Sequence, residues 1–359
     1  MQQILDAEND ATIWRNVLAL LPEQNDIYFQ PGYVAIHAGG DTRGRLFVFR
    51  QDEKIWANPF VIQPVRRVGD WVLSEEWVDI ESPYGYSGPI SNTDDYEFLS
   101  AAHAAFATWC RKNNVVAEFV RLHPLLQNQR WLDRQVEVVY DRVTVSLDLK
   151  QINSAAADRL PISKTSLYMV RRAERSGLEV QSASGEDAFL KFVSLYLNAM
   201  DRLGADNYYQ FSETYFQGLR QLLETSGWLW AAVRDAAWST AAVFLKGSRW
   251  AHYHLSASTP DRRDPGATNL LIAKAALVAR DGGLERLHLG GGVTSDPKDP
   301  LLLFKQSMAT DTHSFYIGKR IHDQDMYSKL KSAWERANPS LVERWGNRLL
   351  CYRLRMNTE

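Results

Sequence analysis

Apolar and polar residues alternate along RLFVFRQ and ANPFVIQPV, on either side of DEKIW, and this period of two predicts a hairpin. Ahead of it, a short helix is expected near residues 10–21, followed by a turn and a strand in DIYFQPGYVAIHA. WVDIESPYGYSGPI runs from a strand into a loop rich in Gly, Pro and Tyr at residues 83–89. Apolar spacings of three and four over YEFLSAAHAAFATWCRKN predict an amphipathic helix. VVAEFVRLHP and VEVVYDRVTVSLDL read as the strands after it.

The order then repeats in outline. SKTSLYMVRRAERSG is a helix closed by Gly177, and LEVQSA a strand. FLKFVSLYLNAMDRLG and SETYFQGLRQLLETSG are helices, the second opened by Ser212. LWAAVRD, STAAVFLKGS and WAHYHLSAS predict a three-strand meander. GATNLLIAKAALVARDGG is the clearest helix, and RLHLGGG is the strand that follows. HSFYIGKRI is a late strand, and the tail predicts a helix near 323–337 and a strand in LLCYRLR.

A chain of 359 residues exceeds what one core usually serves, so two domains are expected. The change to Gln, Asn, Ser and Ala near 147–160 places the seam there. The expected division is 1–147, with 322–359 packing back on it, and 148–321. No run approaches the roughly 18–20 apolar residues of a membrane span. The start lacks a basic segment followed by an apolar one, so no signal peptide is expected. Cys110 and Cys351 are too few for a disulfide framework or a zinc site, which fits a cytoplasmic protein. A net charge of −2 argues against a dedicated nucleic-acid binder but leaves room for a small basic patch.

Residues 250–318 carry the densest candidate chemistry. A strand, the polar loop TPDRRDP and a helix beginning at Gly266 make an anion site, because the first amides of a helix lack partners and its dipole is positive there. Arg262 and Arg263 add charge beside it. His252 and His254 alternate on one strand; one is a candidate general base, and the plain alternative is a pair of strand histidines. No third metal ligand has sensible spacing, so no metal is expected. Lys164, Arg171, Arg172 and Arg175 form either a phosphate-binding cluster or a solvated basic face. The chain has neither a G-x-x-x-x-G-K-S/T loop nor a G-x-G-x-x-G turn.

Several of these segments, in this order, resemble the Fem-like family, whose members include aminoacyl-tRNA-dependent transferases that build peptidoglycan cross-bridges. The matching residues are Tyr253, Asn269-Leu270-Leu271, His288-Leu289-Gly290-Gly291 and Phe304-Lys305, with SLYMVRRAERSGLEV, YLNAMDRLGADNYYQFSETYF and SPYGYSGPI upstream. Arg263-x-x-Gly266 partly resembles the loop that binds the coenzyme A pyrophosphate in the acetyltransferase (GNAT) superfamily, with Thr268 in place of its last small residue. The resemblance covers roughly residues 26–320. It implies an α/β chain of two tandem GNAT-like domains, each a mixed central sheet flanked by helices.

It also implies N-acyl transfer to an amine of a sugar, sugar nucleotide or cell-envelope precursor, with acyl-CoA or aminoacyl-tRNA as co-substrate. In this superfamily two parallel strands splay apart, and their free amides meet the donor carbonyl; here those strands are WAHYHLSAS and RLHLGGG. The implied sites are Lys305, His252 and His254 for catalysis, and Arg262, Arg263, Gly266, Ala267 and Asn269 for the donor. Tyr84, Tyr86, Tyr208, Tyr209, Arg171, Arg172 and His288 are implied for the acceptor. Phe211 stands near a position where the cross-bridge enzymes often carry arginine, and no long helical hairpin is inserted, so a different acceptor is expected. A catalytically silent binding protein on the same fold is the alternative from another class.

Overall fold

In the computed structural model, which describes residues 1–204, 210–260 and 264–354, Gln2–Asp6 (β1) runs antiparallel to Arg43–Gln51 (β2). The next strand, Lys54–Val68 (β3), pairs with β2 through a tight turn at Asp52 and Glu53, which closes the expected hairpin. Asp52 takes φ 52° there, a left-handed value that Asp tolerates better than most residues. Between β1 and β2 lie Ala11–Ala19 (α1) and Pro31–Ala35 (α2). DIYFQPGYVAIHA is therefore not a turn and a strand. Its β-favouring side chains occupy a 3₁₀ turn, Ile27–Phe29, and a helix opened by Pro31, whose missing N–H costs nothing at a helix start. Tyr33 and Val34 are buried by that helix.

The chain divides into two compact units. The first holds Met1–Gln24, Tyr28–Tyr140 and the segment from Tyr316 onward. Its strands after β3 are Trp71–Glu81 (β4), Ile90–Ser91 (β5) and Val115–Arg121 (β6). The order is β1-β2-β3-β4-β6 and then the end of Asp311–Ile321 (β13). All neighbours are antiparallel except β4 and β6. Tyr96–Lys112 (α3) starts where the Asp95 carboxylate accepts from the Phe98 amide. It buries Phe98, Ala102 and Phe106 against Phe47 and Trp56, beside Trp14 and Trp131.

Gln324–Ala337 (α9) packs Leu330 and Trp334 onto Val65, Val116 and Ala117 of the same unit. The described part of LLCYRLR, residues 349–354, forms a 3₁₀ turn at Cys351–Arg353 and no strand. Side chains hold it instead of a ladder. Buried Asp79 accepts from Tyr352 Oη at 2.8 Å and Arg353 Nε at 2.5 Å.

The second unit holds Asn25–Ile27 and Asp141–Phe315. The unit boundary falls inside Glu137–Asp148 (β7). Lys164–Arg175 (α4), Glu179–Ser182 (β8), Glu186–Arg202 (α5) and Glu213–Ser226 (α6) follow. Then come Gly227–Arg234 (β9), Ala237–Lys246 (β10), Trp250–Ser258 (β11), Ala267–Asp281 (α7), Arg286–Gly291 (β12) and Pro300–Ser307 (α8). The sheet order is β7-β12-β11-β10-β9-β8, and β11–β12 is its one parallel pair among the described residues. The apolar face of α7 covers this sheet, with Leu270, Leu271, Ile272 and Leu277 against Phe244, Ala251, Leu287 and Leu289. Each of these Leu, Ile and Phe side chains contributes about 1.5–3 kcal/mol when fully buried, which holds α7 against the strands beneath it.

Candidate active site

The parallel pair β11–β12 is joined only at Trp250↔Arg286, Ala251↔Leu287 and His252↔His288. Beyond that point β11 continues to Ser258 and β12 to Gly291, each still paired on its other side. Two bulges cause the parting. One extra residue, His254, enters β11 against β10, where Leu255 and Tyr253 face the successive residues Val243 and Phe244. A second, Leu289, enters β12 against β7 between His288 and Gly290. Bulges bend and twist a strand, so two of them at one level drive the neighbours apart. The parallel pair of the first unit, β4–β6, behaves differently. It stays joined through Glu81↔Phe119, and Ser82 N still donates to the Phe119 carbonyl at 2.9 Å.

Ala251 and Leu287 point into the core beneath α7, so His252 and His288 face the opposite side of the sheet. His252 Nε2 lies 2.7 Å from Asp26 Oδ2, and its Nδ1 lies 3.4 Å from His288 Nδ1. All three residues are buried. His254 is taken up elsewhere: its Nε2 lies 2.7 Å from Tyr215 Oη, which α6 supplies. Tyr215 in turn stacks on Phe211, with centroids 4.1 Å apart. The structure thus separates two histidines that strict alternation treats as equivalent.

Lys305, on α8, donates to the carbonyl of Gly291 at the end of β12, at 2.8 Å. Burial, opposed by Asp299 and reinforced by Arg142, lowers its pKa to about 8. Arg142 itself donates to the Gly292 carbonyl at 2.9 Å and the Val293 carbonyl at 2.8 Å. Asp299 caps α8 through the Leu301 and Leu302 amides and also accepts from the amides of Val293 and Thr294. One carboxylate therefore ties the loop after β12 to the helix that carries Lys305.

At the far end of β11, α7 begins at Gly266, which takes φ 84° and leaves the helix start without a side-chain cap. A Cβ at this position would stand 2.2 Å from the Met169 carbonyl of α4, so glycine is required on two counts. Asp264, just before it, is held by Ser239 Oγ and Arg234. Ala267 and Asn269 are buried; the Asn269 amide reaches Ser166 Oγ at 3.4 Å and Met308 Sδ at 3.2 Å, which joins α7 to α4 and the end of α8.

No family model matches the sequence, and no curated protein matches it at a significant level. Solved structures do match, 113 chains in all. A crystal structure of FemX superposes with a TM-score of 0.66 at 12% identity, covering 92% of this chain and 99% of that one. The C-terminal domain of a putative lysylphosphatidylglycerol synthetase from Agrobacterium fabrum gives 0.50 at 13%, covering 93% and 98%. A tandem GNAT protein from the clavulanic acid biosynthesis pathway gives 0.50 at 11%, covering 89% and 98%. The chain has the Fem-like, tandem GNAT fold.

Within this Fem-like fold, the second unit brings His252, His254, His288, Lys305, Gly266, Ala267 and Asn269 onto one parallel strand pair and its two following helices. Tyr84 and Tyr86 belong to the first unit. Tyr33 Oη donates to the Tyr84 carbonyl at 2.6 Å, and the Tyr86 ring meets Tyr28 edge-on at 5.4 Å. Arg171 pairs with Asp158 at 3.0 Å on the exposed face of α4, where Arg172 is also exposed. Arg262, Arg263, Tyr208 and Tyr209 lie outside the described residues. Sequence reasoning missed Asp26, Tyr215, Arg142 and Asp299. Only Asp299 carried a signal, as an Asp-Pro pair at a helix start. Among the described residues, no helix is long and apolar enough to cross a membrane.

Proposed function

We propose that this chain is an N-acyltransferase that moves an acyl or aminoacyl group onto an amine of a sugar, sugar nucleotide or cell-envelope precursor. The parting of β11 from β12 after His252 and His288 carries the reading, because only strands that separate leave backbone amides for a donor carbonyl. The parallel pair of the first unit stays joined through Glu81↔Phe119, which favours the second unit for the chemistry. The ammonium of Lys305, which reaches the end of β12 from α8, is suited to the negative charge that develops on that carbonyl oxygen or to a donor phosphate.

The uncapped start of α7, the next helix after β11, suits a pyrophosphate, which favours acyl-CoA as the donor. A second reading, with aminoacyl-tRNA as donor, draws support from the resemblance of the sequence to the Fem-like family, whose members include aminoacyl-tRNA-dependent transferases. The test is release of free coenzyme A from acetyl-CoA and longer acyl-CoAs in the presence of amino sugars and envelope-precursor amines. Turnover with any of them supports the first reading. Turnover only with charged tRNA, abolished by ribonuclease, selects the second.

A further inference from the structure

A carboxylate and two imidazoles from separate stretches of the second unit line up behind the point where β11 and β12 part. Asp26 is held in place by the turn between β10 and β11. Ser248 Oγ donates to the Asn25 carbonyl at 2.5 Å, and a Cβ at Gly247 would stand 1.8 Å from Asp26 Oδ1. The turn thus leaves a space that the carboxylate fills. A carboxylate only accepts, so the hydrogen between it and His252 belongs to His252 Nε2. With the ring hydrogen on Nε2, the lone pair lies on Nδ1, which faces His288 Nδ1 at 3.4 Å. The hydrogen in that second contact sits on His288 Nδ1. The basic nitrogen of His288 is therefore Nε2.

We propose that His288 Nε2 is the base that accepts a proton from the acceptor amine, and that Asp26 and His252 are positioning residues which fix its tautomer. The inference rests on the acyltransferase reading above and adds the base to it. His288 is the last residue of β12 paired to β11, so its backbone stands at the edge of the gap proposed for the donor carbonyl, with its buried ring just behind the point of parting. In the transfer, a bond forms between the amine nitrogen and the donor carbonyl carbon, and the C–S bond of the thioester, or the C–O bond of an aminoacyl ester, breaks. The nitrogen's proton passes to His288 Nε2 and from there to the departing sulfur or oxygen. His254, bonded to Tyr215, takes no part in this path.

Two readouts test it. The first is ring nitrogen NMR on full-length protein labelled with 15N-histidine, which identifies the tautomer of each ring without any substrate. Wild-type protein should show Nε2–H on His252 and Nδ1–H on His288. Asp26→Asn should reverse both, because the new amide donates to His252 Nε2 instead of accepting from it. The second readout is steady-state kinetics with whichever donor supports turnover. Asp26→Asn and His288→Gln should each lower kcat by about 10²–10⁴-fold, the range of general base catalysis, with KM nearly unchanged. Gly247→Ala, which displaces the carboxylate while leaving all three side chains in the sequence, should do the same. A wild-type His288 carrying Nε2–H overturns the proposal. So does an Asp26→Asn enzyme with reversed tautomers and undiminished kcat. Wild-type protein inactive with every activated donor overturns the transferase reading, and the base with it, even where the ring spectra match.

Discussion

Lys305→Met should make the protein more stable while removing its activity. At neutral pH the folded chain holds this ammonium on a part-buried helix end, with Arg142 as a nearby like charge. Its pKa falls from 10.5 to about 8, chiefly through burial. Because the folded value is the lower one, the unfolded chain binds the extra proton between about pH 8 and 10.5. Stability therefore rises with pH across that window, and the penalty is complete below it. At 1.36 kcal/mol per pH unit, the difference sets a ceiling of about 3 kcal/mol. Solvent reaches part of the side chain, so a gain of about 1–2 kcal/mol is expected for methionine at pH 7. The bond to the Gly291 carbonyl is lost in the same change, which offsets part of the gain and is a second reason for the lower figure. The assay is the urea unfolding midpoint from pH 6 to 11, with kcat measured on the same preparations. Wild-type stability should climb between pH 8 and 10.5, and the variant should lack that climb. Loss of the charge should lower kcat by about 10²–10³-fold, as for removal of one oxyanion donor. A variant that is less stable, keeps the pH dependence, or turns over normally refutes the reasoning.

Three further outcomes are expected. Gly266→Ala should destabilise the protein by about 2 kcal/mol or more, measured as a fall in Tm, since it combines a left-handed backbone with a carbonyl 2.2 Å from the new methyl. His37, whose pKa burial and nearby Arg121 lower to about 3, should make stability fall as pH drops from 6.5 towards 3. The unfolded chain takes up the proton there and the folded chain does not, so His37→Gln should flatten the acid limb of the stability profile by at most about 1.4 kcal/mol per pH unit. Asp79→Ala leaves Arg353 and Tyr352 without their shared acceptor and should cost about 3 kcal/mol, with limited proteolysis cutting the tail sooner than in wild type.

Much of the fold was legible because local chemistry and tertiary position agree. Ser212 reads as a helix start, and its hydroxyl accepts from the Tyr215 amide. The apolar run of α7 and the triple glycine that closes β12 each have one local meaning. The failures are equally physical. Residues 26–38 have β-favouring side chains, yet burial of Tyr33 and Val34 and a proline at the helix start decide for helix. The tail alternates like a strand but finds side-chain partners in Asp79 and the Gln63 carbonyl instead of a ladder. β1 is only five residues long and has no periodicity to mark it. In the site, period-two alternation puts His252 and His254 in the same role, and the bulge at His254 undoes that. Asp26 has no motif around it. It meets His252 across 226 positions of sequence, a distance that local patterns do not span.

The central claim is that β11, β12 and the start of α7 receive an activated acyl donor. Titration calorimetry of acetyl-CoA into the purified protein, with Arg263→Ala and Lys305→Met alongside, tests it most directly. Micromolar binding to wild type, weakened in both variants, is the predicted result. Absence of binding by wild-type protein to every acyl-CoA and to aminoacyl-tRNA would contradict the claim.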